Sequence, residues 1–300
     1  MLNFFKSLFG SRKPPENPKS IFIGLIGGVG DLVCAAPSVT ALKKKFPDAT
    51  IRFGVGNSFF KDVILGHPGI DSYESPFFYN VWKSRERRNM EREQYEKHDW
   101  VLLLDNASRE WWKEGKHLVD IYQEKCGVQL ERRQPEMYLN RRDEERAREF
   151  LQSKGIEDDD YLIVLSPETR SKKEMKEWPP ERFDQLIEKI HAHKKVKFLN
   201  FVSEENPHPF NGTISAKGFP LRPSAAIIRR SSLFIGLDNG LTHIASCFDI
   251  KMLSIHIGFP VECSGPLSPR AVVVAHEPFS PPESITVEEV FNKVQQLIDS

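Results

Sequence analysis

An apolar, β-branched run, Ile21–Ile26, stops at Gly27-Gly28-Val29-Gly30-Asp31 and gives way at once to helical spacing over Leu32–Phe46. After a turn at Pro47-Asp48, Thr50–Val55 reads as a second strand. Strand, glycine turn, helix and strand in so short a stretch fit a βαβ unit, whose two strands run parallel in one sheet. Lys43-Lys44-Lys45 closes the helix, where cations meet the negative end of its dipole. Trp100–Leu104 reads as a further buried strand ending at Asp105-Asn106, and Arg141–Lys154 as a polar helix with Gly155 past its end.

The alternation then starts again. Tyr161–Leu165, Val196–Phe201, Leu233–Gly236 and Lys251–Ile257 read as strands. Pro179–His193, Ser224–Arg230 and Leu241–Phe248 read as helices between them, and Val287–Ile298 follows a T-x-x-E capping box at Thr286 and Glu289. The predicted fold class is α/β, with two doubly wound Rossmann-like domains facing a cleft. The boundary falls between 140 and 160, giving a first domain over 20–155 and a second domain over 156–285. Helix 286–300 closes the chain.

Composition excludes several classes. Lys and Arg number 42, as do Asp and Glu, so the formal net charge is zero and no nucleic-acid partner is expected. The four cysteines (Cys34, Cys126, Cys247, Cys263) form no CxxC pair, which argues against a zinc ribbon and fits a reducing compartment. No apolar run reaches the roughly 18 residues that a membrane span needs. Residues 1–13 place Leu2, Phe5, Leu8 and Phe9 on one helical face beside Lys6, the composition of an interfacial anchor or of a plain tail. Pro14, Pro15 and Pro18 make the rest of 1–19 a stiff linker.

Three turns carry candidate chemistry. Gly27–Asp31 lets a ligand approach the backbone at a helix N-terminus. It lacks the third glycine of a dinucleotide fingerprint, because Val33 stands there. Asp31 suits either a general base for a hydroxyl nucleophile or simple compensation of the helix dipole. Ser166–Pro180 holds Thr169, Arg170, Ser171, Lys172, Lys173 and Lys176, a set that suits phosphate or forms a solvated basic loop. Lys176 is the more constrained, two residues before Trp178 and the helix start. Asp238-Asn239-Gly240 opens the helix that carries His243, so these residues either cap and pack or hold a phosphate, sugar or base.

Ile23–Ile51, Leu165–Leu186 and Ala225–Gly258 together resemble glycosyltransferase family 9, the heptosyltransferases, in order and in context. The matching features are Gly30-Asp31 with Pro37 and Phe46-Pro47, then Lys176 before Trp178-Pro179, then the Asp238-Asn239-Gly240 turn with His243. The chain departs from the family at Gly28-Val29, at Asn239, and at Gly258-Phe259-Pro260. The resemblance implies a GT-B fold, with an acceptor-binding domain over 20–155, a donor-binding domain over 156–285 and helix 286–300 packed back on the first. It also implies inverting transfer of a sugar, heptose from ADP-heptose, to a hydroxyl of a lipopolysaccharide-type or other glycan acceptor. No essential metal and no cofactor beyond the nucleotide-diphosphate sugar is expected. Asp31 and Lys176 would be catalytic, as base and leaving-group stabiliser. Thr169, Arg170, Asp238, Asn239, Gly240 and His243 would bind the donor. Gly28, Gly30, Arg85, Arg87 and Arg88 would face the acceptor, although the mixed charge of Trp82–Lys97 equally suits a solvated helix. Trp111-Trp112 suits sugar stacking or interface packing. The expected location is the cytoplasm, with residues 1–13 the candidate contact to the inner membrane. The alternatives are a sugar-nucleotide-binding homologue without activity and a Rossmann oxidoreductase.

Overall fold

The computed structural model describes residues 15–56, 58–75, 97–104 and 111–300. Residues 1–13 and the Arg85, Arg87, Arg88 group lie outside the described residues, as does Asp105-Asn106. The first sheet contains β1 (Ser20–Leu25), β2 (Thr50–Val55), β3 (Ser72–Glu74) and β4 (Trp100–Leu103), in the order β3-β2-β1-β4. All its pairings are parallel. The second sheet contains β5 (Leu162–Ser166), β6 (Lys197–Asn200), β7 (Ile214–Ser215), β8 (Leu233–Leu237), β9 (Met252–His256) and β10 (Ala271–Ala275). Its order is β10-β9-β8-β5-β6-β7, again parallel throughout. Strand order therefore reverses beside β1 in one sheet and beside β5 in the other. Those are the switch points where open α/β sheets bind ligands.

The helix α1 (Val29–Lys45) follows β1 and has Pro37 inside it. Proline has no N–H, so the carbonyl four residues earlier loses its helical partner. That carbonyl, on Val33, accepts from the Glu136 backbone N–H at 3.3 Å, which ties the inter-sheet connection to α1. The lysines that end α1 reach across the fold, with Lys43 Nζ donating to the Ala49 carbonyl at 2.8 Å and Lys45 Nζ to that of Gly127 at 3.1 Å.

Two expectations about packing are corrected. Among the described residues, the C-terminal helix α10 (Val287–Asp299) packs mainly on β9, β10 and α6 (Pro180–His193) of the second unit and not on the first. Its stripe of Val290, Val294 and Ile298 completes the core around Trp178, Phe183 and Ile187. Its entry is fixed by Trp178 Nε1, which donates to the Ile285 carbonyl at 2.9 Å. The helix α4 (Arg141–Ser153), placed with the first domain by a boundary at 155, packs instead on α7 (Leu221–Arg230) of the second. Ala147 and Leu151 supply its buried stripe. Phe150 meets Phe219 with ring centroids 4.2 Å apart.

The units meet at several places. The first turn of α1 packs on α8 (Gly240–Ala245) so closely that a Cβ on Gly30 would lie 2.7 Å from the His243 ring. A Cβ on Gly240 would lie 2.7 Å from that of Val29. Arg170 stacks over Phe59 of α2 (Ser58–Ile64), 5.1 Å from the ring centroid. Arg222 of α7 is buried and donates to the carbonyls of Asp62 and Leu65 at 2.9 Å and of Tyr138 at 2.7 Å.

Candidate active site

The two switch points face each other across one cavity of about 910 Å³. That is near the upper end of the roughly 300–1,000 Å³ usual for small-molecule sites. Asp31 and Val29–Gly30 line it from the first unit, and Thr169–Lys172, Lys176, Asp238–Leu241 and His243 from the second. The three turns picked out in the sequence thus converge.

Asp31 is the third residue of α1, and its Oδ2 accepts from the Gly28 backbone N–H at 2.8 Å. Its Oδ1 accepts from the Tyr122 hydroxyl at 2.7 Å. Tyr122 lies on α3 (Leu118–Cys126) and is fully buried, so it fixes the carboxylate from behind. Each carboxylate oxygen has two acceptor sites, so one on each remains for a ligand. Helix compensation and an available base are therefore compatible. Gly28 serves Asp31, and Gly30 is pressed on His243 by the close approach of the two units.

On the opposite wall Lys176 ends the short helix α5 (Lys173–Lys176), and its Nζ meets Asp238 Oδ2 at 2.6 Å. Asp238 is 3% exposed. Burial alone would push its carboxyl up, but Lys176, then His256 and His243, outweigh that and hold it below its ordinary value. Ser264 Oγ donates to the same carboxylate at 3.4 Å. Thr169 is buried and bonded through its N–H to Glu177 at 2.8 Å.

Asn239 takes the capping role. Its Oδ1 accepts from the Thr242 N–H at 3.0 Å. Its Nδ2 donates to Ser166 Oγ at 2.8 Å and to the Glu168 carbonyl at 2.9 Å, which staples the Ser166–Arg170 loop to the Asp238 turn. Helix α8 has only six residues and its first turn is covered by α1, so little of its N-terminus faces the cavity. Trp111 and Trp112 form an interface, packing on Phe259 and Phe279 with centroids 5.5 and 4.8 Å apart.

Three buried histidines lie close to one another, one of which, His243, lines the cavity. His117 accepts at Nδ1 from the Val119 N–H and so carries its proton on Nε2, which donates to the Gly265 carbonyl at 2.9 Å across the units. His243 lies 3.7 Å from the Cys34 sulfur and 3.8 Å from Asp238. His256 lies 3.5 Å from the Ser264 hydroxyl. Burial lowers the proton affinity of all three. For His243 burial outweighs the pull of Asp238 and brings the value down to about 4. The unfolded chain takes up these protons below roughly pH 6.5 and the folded chain does not, so stability falls as pH drops through that range. His243 alone is expected to cost about 2 kcal/mol at pH 5. Thermal denaturation at pH 7.5, 6 and 5 checks this, because the lowered carboxylates respond only at still lower pH. A transition temperature constant over that range would contradict it.

Tyr122, Phe259, Ser264, His117 and His256 were not among the residues expected from sequence. Tyr122 and Ser264 carry no local signal, since their partners lie 91 and 26 residues away. Phe259 had one, as a departure from the family pattern at Gly258-Phe259-Pro260. Among the described residues, no three His, Cys, Asp or Glu side chains gather as a metal site, and no helix is long and apolar enough to cross a membrane.

Two Rossmann-like units whose switch points enclose a single cavity define the GT-B class of glycosyltransferase architecture. The profile of glycosyltransferase family 9 (heptosyltransferase) matches residues 71–293, and the chain belongs to that family. The family places it among the sugar-transferring enzymes. Its fold is similar to a family 9 glycosyltransferase from Veillonella parvula, with a TM-score of 0.76 at 20% identity over 94% of this chain and 98% of that one. It is also similar to the ADP-heptose lipopolysaccharide heptosyltransferase II of E. coli, with a TM-score of 0.68 at 13% identity over 93% and 98%. An E. coli heptosyltransferase with ADP gives a TM-score of 0.64 at 14% identity over 93% and 99%. At these identities the structural likeness concerns the fold alone. A sequence search of curated proteins gave no match.

Proposed function

We propose that this chain is an inverting glycosyltransferase that moves heptose from ADP-heptose to a hydroxyl of a lipid-linked glycan of the lipopolysaccharide type. The observation that carries the reading is one cavity with a carboxylate, Asp31, on one unit and an ammonium group, Lys176, on the other. The E. coli relatives, one of them bound to ADP, support the choice of nucleotide and sugar.

In the proposed step the acceptor hydroxyl oxygen attacks the anomeric carbon from the face opposite the diphosphate. Its proton passes to Asp31. The bond from the anomeric carbon to the diphosphate oxygen breaks, and its electron pair leaves with the nucleoside diphosphate. Lys176 offsets the charge that develops there, and Asp238 holds Lys176 in place until the donor arrives. A chelator is expected to leave the rate unchanged, because the lysine performs the neutralisation. The products are an inverted glycoside and ADP.

Lys176→Ala is expected to lower kcat by roughly 10²–10³-fold, the usual loss on removing one stabiliser of developing charge. Donor turnover in the presence of a lipid-glycan extract checks it. An unchanged kcat would remove Lys176 from the reaction. Nucleotide protection against heat by ADP without any turnover would favour the non-catalytic binding homologue, and protection by NAD(P) alone the oxidoreductase.

A further inference from the structure

Lys172 sits at the mouth of the cavity in an unusual setting. Its backbone is left-handed, with φ 54° and ψ 44°, a region that disfavours residues with a side chain. In this conformation its Nζ lies 4.2 Å from the centroid of the Phe259 ring. Lys176 Nζ lies 5.3 Å from the same centroid. All three residues line the cavity. Gly258 has a φ of 98°, and a Cβ there would come within 3.2 Å of Lys176 Cγ, so a glycine lets the Lys172–Lys176 turn reach Phe259.

The neighbouring cations are already satisfied. Lys173 pairs with Glu168 at 3.1 Å and Lys176 with Asp238 at 2.6 Å. Among the described residues no carboxylate pairs with Lys172. Two ammonium groups thus share one ring, and a single carboxylate offsets one of them. The negative face of an aromatic ring attracts a cation without neutralising it. The uncompensated charge faces the space between the two units.

We propose that Lys172 supplies a second ammonium group to the diphosphate of the donor, and that Phe259 is a positioning residue that holds the ammonium groups of Lys172 and Lys176 for it. This rests on the nucleoside-diphosphate reading above. It assigns Lys172 to a ligand, where a run such as Lys172-Lys173 more commonly belongs to a solvated loop. Phe259 acts through the two lysines and touches no reacting atom.

Calorimetric titration of the full chain with pyrophosphate, ADP and adenosine tests the proposal. Lys172→Met is expected to weaken pyrophosphate and ADP about tenfold, the effect of one charged hydrogen bond, and to leave adenosine unchanged. The salt dependence of ADP binding should also become shallower, since one fewer cation meets the diphosphate. Lys189→Met removes a lysine that lies over Phe291 outside the cavity and should change none of these values. Phe259→Leu should weaken ADP severalfold and Phe259→Tyr, which keeps an aromatic face, should restore it. Lys172 is exposed, so its variant does not depend on refolding of a core. ADP and pyrophosphate affinities for Lys172→Met within twofold of wild type would overturn the proposal. Wild-type protein that binds pyrophosphate but not ADP would overturn the choice of nucleotide and leave the two-lysine clamp standing. Wild-type protein that binds neither would overturn both.

Discussion

Asp31→Asn is expected to cut kcat for sugar transfer by roughly 10²–10⁴-fold, the range for loss of a positioned general base. The substitution is informative because it spares the surroundings. The amide oxygen still accepts from the Gly28 N–H, and the amide nitrogen can donate to the Tyr122 hydroxyl in place of the present bond. Nucleotide affinity should therefore stay close to wild type, since an interaction made only in the transition state lowers kcat alone. Asp31→Ala would lose the bond at the start of α1 as well and confuse chemistry with folding. Steady-state kinetics with parallel ADP titrations separates the two. Full activity in Asp31→Asn would leave Asp31 with helix compensation only.

Arg222→Met is expected to lower stability by about 3–5 kcal/mol, the usual consequence of breaking a buried ion pair from one side. Arg222 is 6% exposed and its partner Asp143 is 7% exposed. Its Nε donates to both oxygens of Asp143, at 3.2 and 3.0 Å, and a terminal nitrogen to one of them at 2.6 Å. The remaining N–H groups meet the carbonyls of Asp62, Leu65 and Tyr138. All five donors are used, and they join α7 of the second unit to the end of α2 in the first and to the connection between them. Removing the guanidinium strands a buried carboxylate and three carbonyls. Chemical denaturation checks the size of the loss. The double variant Arg222→Met/Asp143→Leu should lose less than the sum of the single changes, because it removes the stranded charge as well. Strict additivity would show that the pair does not couple.

Much of this architecture is legible in the chain because its central strands are buried on both faces. β1, β5 and β8 read as nearly unbroken apolar runs that end at glycine, serine or aspartate, and β9 sets Met252, Leu253 and Ile255 around the buried Ser254. The edges are not legible in the same way. β3 is Ser72-Tyr73-Glu74 and β7 only Ile214-Ser215, too short to show any period, and β10 is a half-exposed edge strand. The capping box at Thr286 and Glu289 marks the start of α10, but its docking partner depends on which apolar surface the other elements leave open. Asp31, Lys176 and Asp238 could be named because each sits where a strand meets a helix. Arg222 gave a weaker signal, a cation in register with Ala225 and Ala226 on an apolar helix face, and the helix was read as starting after it at Ser224. Tyr122 and Phe259 act through neighbours distant in sequence, and only the assembled fold joins them to the site.

The proposed reaction has one central claim: a single displacement between a base on one unit and a leaving diphosphate on the other. The most direct measurement is the anomeric configuration of the product, read by NMR after incubating the protein with ADP-heptose and a lipid-glycan acceptor. One displacement with Asp31 as its only base should give the inverted glycoside and one ADP per sugar transferred, both formed roughly 10²–10⁴-fold more slowly by Asp31→Asn. Retention of configuration, or turnover undiminished by the loss of Asp31, would contradict it.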